Sequence, residues 1–140
     1  MNQLVIERVE ELPEELEKKM TTSFIAQEKA NGIEINFSSF SLILRKDECV
    51  IGVLNAFTWY AEVYVDDMWV DDAYRGQGYG RNLLENLENL FKGKGYNNIN
   101  LVTSAFQALN FYKKCGFEVE FVRKNKSNPK LDKTFFIKYF

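Results

Sequence analysis

The chain has 140 residues, 46% hydrophobic and 15% aromatic, enough apolar surface for one compact domain and too much for a disordered segment. Eighteen basic against twenty acidic side chains give a net charge of −2, and the only basic cluster, Arg123-Lys124-Asn125-Lys126, is short, which argues against a nucleic-acid partner. No apolar run reaches membrane-spanning length, the start with Glu7, Glu10 and Glu11 is unlike a signal peptide, and Cys49 and Cys115 make no disulfide framework, so a cytoplasmic protein with no membrane partner is expected.

In chain order, Leu4 to Arg8 reads as a strand. Pro13 opens a helix with Glu14, Glu15 and Glu17 near its positive end and Leu12, Leu16, Met20 and Phe24 along one face, and Asn31-Gly32 stops it. Ser41 to Lys46 and Cys49 to Thr58 read as strands about an Asp47-Glu48 turn; Glu62 to Val70 returns after Trp59-Tyr60-Ala61, completing an antiparallel meander. Gly80 to Lys92 carries Leu83, Leu84, Leu87, Leu90 and Phe91 at helical spacing and ends at Gly93 and Gly95. That crossover makes Asn98 to Thr103 a parallel strand. A helix over about Gln107 to Cys115 stops at Gly116, and Phe117 to Arg123 with Thr134 to Phe140 close the sheet as an antiparallel pair.

Between the third meander strand and the next helix lies Val70-Asp71-Asp72-Ala73-Tyr74-Arg75-Gly76-Gln77-Gly78-Tyr79-Gly80-Arg81. Three glycines at alternate positions let the backbone turn tightly and leave its N–H groups uncovered at a helix N-terminus, an arrangement suited to phosphate. It is not a Walker A loop, because no Gly-Lys-Ser or Gly-Lys-Thr closes it. It lacks the Gly-x-Gly-x-x-Gly spacing of a dinucleotide fold, and the strand Asn98 to Thr103 ends without the acid that would hold a ribose.

What remains, Arg75-x-x-Gly78-x-Gly80, resembles the acetyl-coenzyme A (acetyl-CoA) pyrophosphate loop of the GNAT superfamily of N-acyltransferases. Phe111-Tyr112-Lys113-Lys114-Cys115-Gly116-Phe117 is similar to that superfamily's second signature. Within it, small bacterial members share a Trp-Val-Asp strand and a Phe-Gln-Ala segment, matched by Tyr64 to Asp72 and Thr103 to Ala108. Departures fall at Asp67, where an apolar residue is the pattern, at Ala105, where an asparagine is common, and in Asn125 to Lys133, which has no Tyr-Pro-rich segment. The resemblance implies a GNAT acyltransferase fold in a single domain over 1–140, α/β (α+β), with a mixed central sheet of about six to seven strands flanked by helices.

The resemblance also implies acetyl-CoA as cosubstrate, held by the backbone of Met68, Trp69 and Val70 and by Arg75, Gly76, Gln77, Gly78, Tyr79, Gly80 and Arg81. Tyr112 matches the tyrosine that protonates the departing thiolate; its alternative is a half-buried helix tyrosine. Arg81 is a phosphate contact or a solvated first-turn residue. Asp66 is the first candidate for general base, because a carboxylate in an apolar strand is costly without work or a partner; Asp67, Glu62 or a water relay stay open. These carboxylates, Asp67 among them, together with Asp71 and Asp72 would favour a cationic amine, and Phe57, Trp59, Tyr60 and Trp69 would wall its pocket by cation–π contact. The chain has no histidine, so no Ser-His or Cys-His site and no histidine-based metal site is expected. The reading is an acetyl-CoA-dependent N-acetyltransferase acting directly on a primary amine of a small molecule or peptide, with no metal; a homodimer stays open. The alternative is a module of the same fold that binds acyl-CoA as a sensor.

Overall fold

The computed structural model describes residues 3–140. The chain separates into two units, Met1–Ile35 and Asn36–Phe140. The first holds helix α1, Glu14–Ala30, preceded by Pro13, with Glu14, Glu15 and Glu17 in its first turn and Lys29 in its last. These charges complement the helix dipole. Asn31 and Gly32, the latter at φ 69°, end the helix. Leu4 to Arg8 does not form the expected strand. A strand needs a partner for its backbone groups, and the sheet begins only at Ser38.

The second unit is a six-stranded mixed sheet in the order β1-β2-β3-β4-β6-β5. Strands β1 (Ser38–Lys46), β2 (Cys49–Trp59) and β3 (Glu62–Val70) form the antiparallel meander. Helix α2 (Tyr79–Phe91) crosses to β4 (Asn98–Ser104), parallel to β3. Helix α3 (Leu109–Lys114) leads to β5 (Glu118–Arg123) and β6 (Lys133–Tyr139), which pair antiparallel as expected. It is β6, not β5, that lies beside β4.

One sheet face carries the core. Leu54 and Ala56 of β2, Val63 and Val65 of β3, Ile99 and Leu101 of β4 and Phe136 of β6 pack with Leu83, Leu84 and Leu87 of α2. The α2 residues fall at helical spacing and the strand residues at alternate positions, so both periods converge on one apolar layer. Gly52 sets how closely α2 lies on β2: a Cβ there would sit 3.2 Å from Leu83 Cδ1 and 3.3 Å from the Trp69 carbonyl oxygen. Among the described residues, no helix is long and apolar enough to cross a membrane.

Candidate active site

Strand β3 is paired on both sides for only part of its length. Its register with β4 runs from Glu62 opposite Asn98 to Val65 opposite Leu101 and then stops, although both strands continue. From Asp66 to Val70, about 15 Å of strand, β3 has no paired strand on that side among the described residues. The point of parting coincides with a β-bulge. Asn55 of β2 faces Asp67, while its neighbour Ala56 faces Val65, leaving Asp66 as the extra residue.

The bulge also decides which backbone groups face the gap. The Asp71 N–H donates to the Ile51 carbonyl at 2.8 Å. Antiparallel alternation from that bond turns Trp69 toward β2, and turns the N–H and C=O of Met68 and Val70 to the open side. Arg75 Nε donates to the Val70 carbonyl at 3.0 Å, while its guanidinium also pairs with Asp72 at 3.0 Å. Asp71 accepts from the Ala73 N–H at 3.0 Å. Arg75, Asp71 and Asp72 thus tie the turn to the end of β3.

The three glycines of the turn serve different needs. Gly76 (φ 77°) and Gly78 (φ 87°) take the left-handed conformation, and open space lies where a side chain would go. Backbone angle, not a crowding neighbour, requires glycine there. Gly80 is the packing glycine: a Cβ would come 3.0 Å from Phe111 Cζ. Gly78 caps α2 with no side-chain bond, and no acidic residue stands in the first turn. The first N–H groups of the helix are therefore left for a ligand.

These elements border one cavity of about 400 Å³, lined by Met68 and Val70, by Tyr74, Arg75, Gly76, Gly78, Tyr79, Gly80 and Arg81, and by Ala108, Phe111 and Lys114 across the gap. Sequence reasoning did not assign Tyr74, Ala108, Phe111 or Lys114 to the site. The signal for Phe111 was its place beside Tyr112 in the second signature and three residues before Lys114, one helical turn. Of the residues expected at the site, Trp69, Gln77, Asp66 and Tyr112 do not line the cavity. Arg81 does, and its guanidinium also donates to the Lys114 carbonyl at 2.9 Å, joining α2 to the end of α3.

Tyr112 packs among Phe111, Phe117 and Phe136, with ring centroids 5.2, 6.1 and 5.7 Å away. Burial raises its phenol above the ordinary range, and the neighbouring Cys115 adds to the rise. The group therefore stays protonated at neutral pH. Burial likewise pushes the Cys115 thiol up, against the pull of Arg81 and Lys138. Asp66 and Asp67 are both exposed at the bulge, and Asn55 Nδ2 donates to Asp67 Oδ2 at 3.3 Å while Ser41 donates to Asn55 Oδ1 at 2.6 Å. Trp59 and Tyr60 lie in the β2–β3 hairpin, Trp59 opposite Glu62, five residues or about 16 Å along β3 from Asp67. The structure does not bring them together with Asp67. Gln107 Oε1 accepts from the Ser104 N–H at 2.8 Å, so this side chain closes the β4–α3 connection.

A strand that parts from its neighbour at a bulge and runs into a glycine turn at a helix N-terminus defines an acyltransferase architecture. The chain belongs to the acetyltransferase (GNAT) family, whose model matches residues 2–117. Among solved structures, an acetyltransferase from Bacillus cereus ATCC 14579 is 25% identical, with 96% of this chain and 98% of that chain covered and a TM-score of 0.77. A GNAT family acetyltransferase from Elizabethkingia anophelis with acetyl-CoA bound is 20% identical, covers 84% of this chain and 82% of its own, and has a TM-score of 0.65, a likeness of fold. The ribosomal-protein-S18-alanine N-acetyltransferase from Escherichia coli shares the fold at 21% identity and a TM-score of 0.63, with 81% of this chain and 75% of that chain covered. No curated protein matches the chain.

Proposed function

We propose that the protein, acting as one domain over 1–140, moves the acetyl group of acetyl-CoA directly to a primary amine in a ternary complex. The observation that carries this reading is the single cavity shared by the parted half of β3, the glycine turn and α3. In this reading, the first amides of α2 hold the coenzyme's pyrophosphate. Its pantetheine arm runs along Met68 and Val70, whose free N–H groups bind the thioester carbonyl and support the charge that develops on its oxygen. The amine nitrogen attacks the carbonyl carbon, the C–S bond breaks, the thiolate takes a proton from Tyr112, and the ammonium formed loses one to a carboxylate or water.

Asp66 is the proposed base because the bulge turns it out of the ladder at the mouth of the gap. Asp67, held by Asn55, gives the same region its negative charge and favours a cationic acceptor. Asp71 and Asp72 contribute less, since both are engaged in the turn. The test is thiol release from acetyl-CoA across a panel of polyamines, amino acids, aminoglycosides and peptides. Release that depends on one class of amine supports transfer. Thermal stabilisation by acetyl-CoA with no release on any amine would favour the sensor module instead.

A further inference from the structure

Lysine 46 is the last residue of β1, immediately before a two-residue turn in which Asp47 and Glu48 both have positive φ, 49° and 68°. Both residues of the tight turn are thus in the mirror-image conformation that suits a hairpin, which fixes the direction in which Lys46 leaves the sheet. Nearby, α2 rests closely on β2, where a Cβ at Gly52 would meet Leu83. Lys46 Nζ donates to the Tyr79 hydroxyl at 3.0 Å and lies 5.6 Å from the centre of the Tyr79 ring and 5.9 Å from that of Tyr74. Those two rings meet edge to face at 6.3 Å, and both tyrosines line the cavity beside Gly76 and Gly78. Tyr79 is the first residue of α2.

The surroundings keep the ammonium charged: above all the bond to the Tyr79 hydroxyl, with Asp47 and Tyr74 nearby, holds the Lys46 pKa above its ordinary range. Tyr79 opens a helix with no acid in its first turn, and among the described residues no carboxylate lies within ion-pair distance of the Lys46 ammonium. Lys46 stands beside the cavity through Tyr74 and Tyr79 and does not itself line it, whereas Arg75 and Arg81 do, each guanidinium already holding a carbonyl of the protein. Three fixed contacts keep Lys46 at a site whose field calls for an anion.

We propose that Lys46, positioned by Tyr74 and Tyr79, is a phosphate ligand of the coenzyme, reaching over the groove from the β1–β2 hairpin. The proposal rests on the groove being the coenzyme site. Two phosphate sources share this chemistry: the coenzyme's diphosphate and its 3′-phosphate. Calorimetric titration of CoA and of 3′-dephospho-CoA into the parent, Lys46→Met, Lys46→Arg and Tyr79→Phe proteins separates them.

Lys46→Met should bind CoA about three- to tenfold more weakly, the range for an exposed charge contact, and the gap should narrow as salt is raised. Lys46→Arg should keep most of the affinity. Tyr79→Phe, which frees the ammonium but leaves the ring, should lose less than Lys46→Met. An equal loss on both ligands assigns Lys46 to the diphosphate, and a loss on CoA alone assigns it to the 3′-phosphate. A parent that binds CoA with a Lys46→Met variant that binds each ligand as tightly as the parent does overturns the proposal. A parent that binds neither overturns the coenzyme reading itself.

Discussion

The two halves of β3 differ in what their polar groups meet. From Glu62 to Val65 it is paired on both sides, and its polar groups are used up internally: Tyr64 donates to Glu62, Asn98 donates to the other Glu62 oxygen at 3.1 Å, and Asn100 donates to Asn98 at 2.8 Å. From Asp66 to Val70 the strand keeps β2 and loses β4, and its carboxylates and alternate amides face outward. A buried polar group must be matched within the protein, whereas an open one is available to a ligand. The boundary is one inserted residue, Asp66.

The largest effect is expected where the parted half meets α3. Tyr112→Phe removes the proton proposed for the leaving thiolate and should lower turnover by about 10² to 10⁴, with little change in coenzyme affinity. Steady-state rates on a working amine decide the matter. Turnover within about threefold of the parent, under about 1 kcal/mol of barrier, would make Tyr112 a packing residue of the core and move the chemistry wholly onto β3.

Next is the turn that the open half leads into. Gly78→Glu forces a side chain onto a left-handed backbone and sends a negative charge into the open space above it. Affinity for acetyl-CoA should fall by about a hundredfold or more, since strain of about 1 to 2 kcal/mol adds to charge repulsion. Calorimetry that finds parent-like affinity in the folded variant would remove the turn from the coenzyme site.

A smaller effect separates the two carboxylates at the bulge. Asp66→Asn should slow transfer by about tenfold and shift the remaining activity to higher pH, where more amine is already neutral. Asp67→Asn, which can still meet Asn55, should weaken binding of a cationic amine without that shift. If the pH profiles exchange, the base is Asp67. If both profiles overlay the parent, water or bulk solvent takes the proton.

The smallest effect belongs to the paired half. Donation to Glu62, reinforced by desolvation, holds the Tyr64 phenol up at about 12 against an ordinary value of 10.0. Because the folded state keeps this proton and the unfolded state gives it up near pH 10, the stabilisation is complete below pH 10 and disappears as pH rises toward 12. Tyr64→Phe should therefore lower the urea midpoint slightly at pH 8 and flatten its decline above pH 10, while coenzyme affinity at pH 8 stays unchanged. A loss of coenzyme affinity would join the two halves of β3 functionally.

Much of this arrangement was legible in the residues. Leu83, Leu84 and Leu87 carry the helical period and Leu54, Ala56, Val63 and Val65 the strand period, so α2 and the meander could be placed by counting. Arg75, Gly78 and Gly80 marked the turn because few other uses require that spacing. Leu4 to Arg8 misled, since local preference makes a strand only where a partner exists. The bulge at Asp66 was illegible because it is a mismatch between two strands, and neither sequence alone contains it. Lys46 was hidden for a similar reason: 33 residues separate it from Tyr79, and only the fold joins them.

The central claim is that the free amides of the parted half and of the α2 start hold the coenzyme. Backbone amide exchange with and without CoA measures those groups directly. The account predicts slowed exchange at Met68, Val70 and the Gly78 to Arg81 amides, with the Trp59-Tyr60 hairpin unaffected. Binding of CoA with no protection at Met68, Val70 and Gly78 to Arg81, or with protection centred on the hairpin, would contradict it.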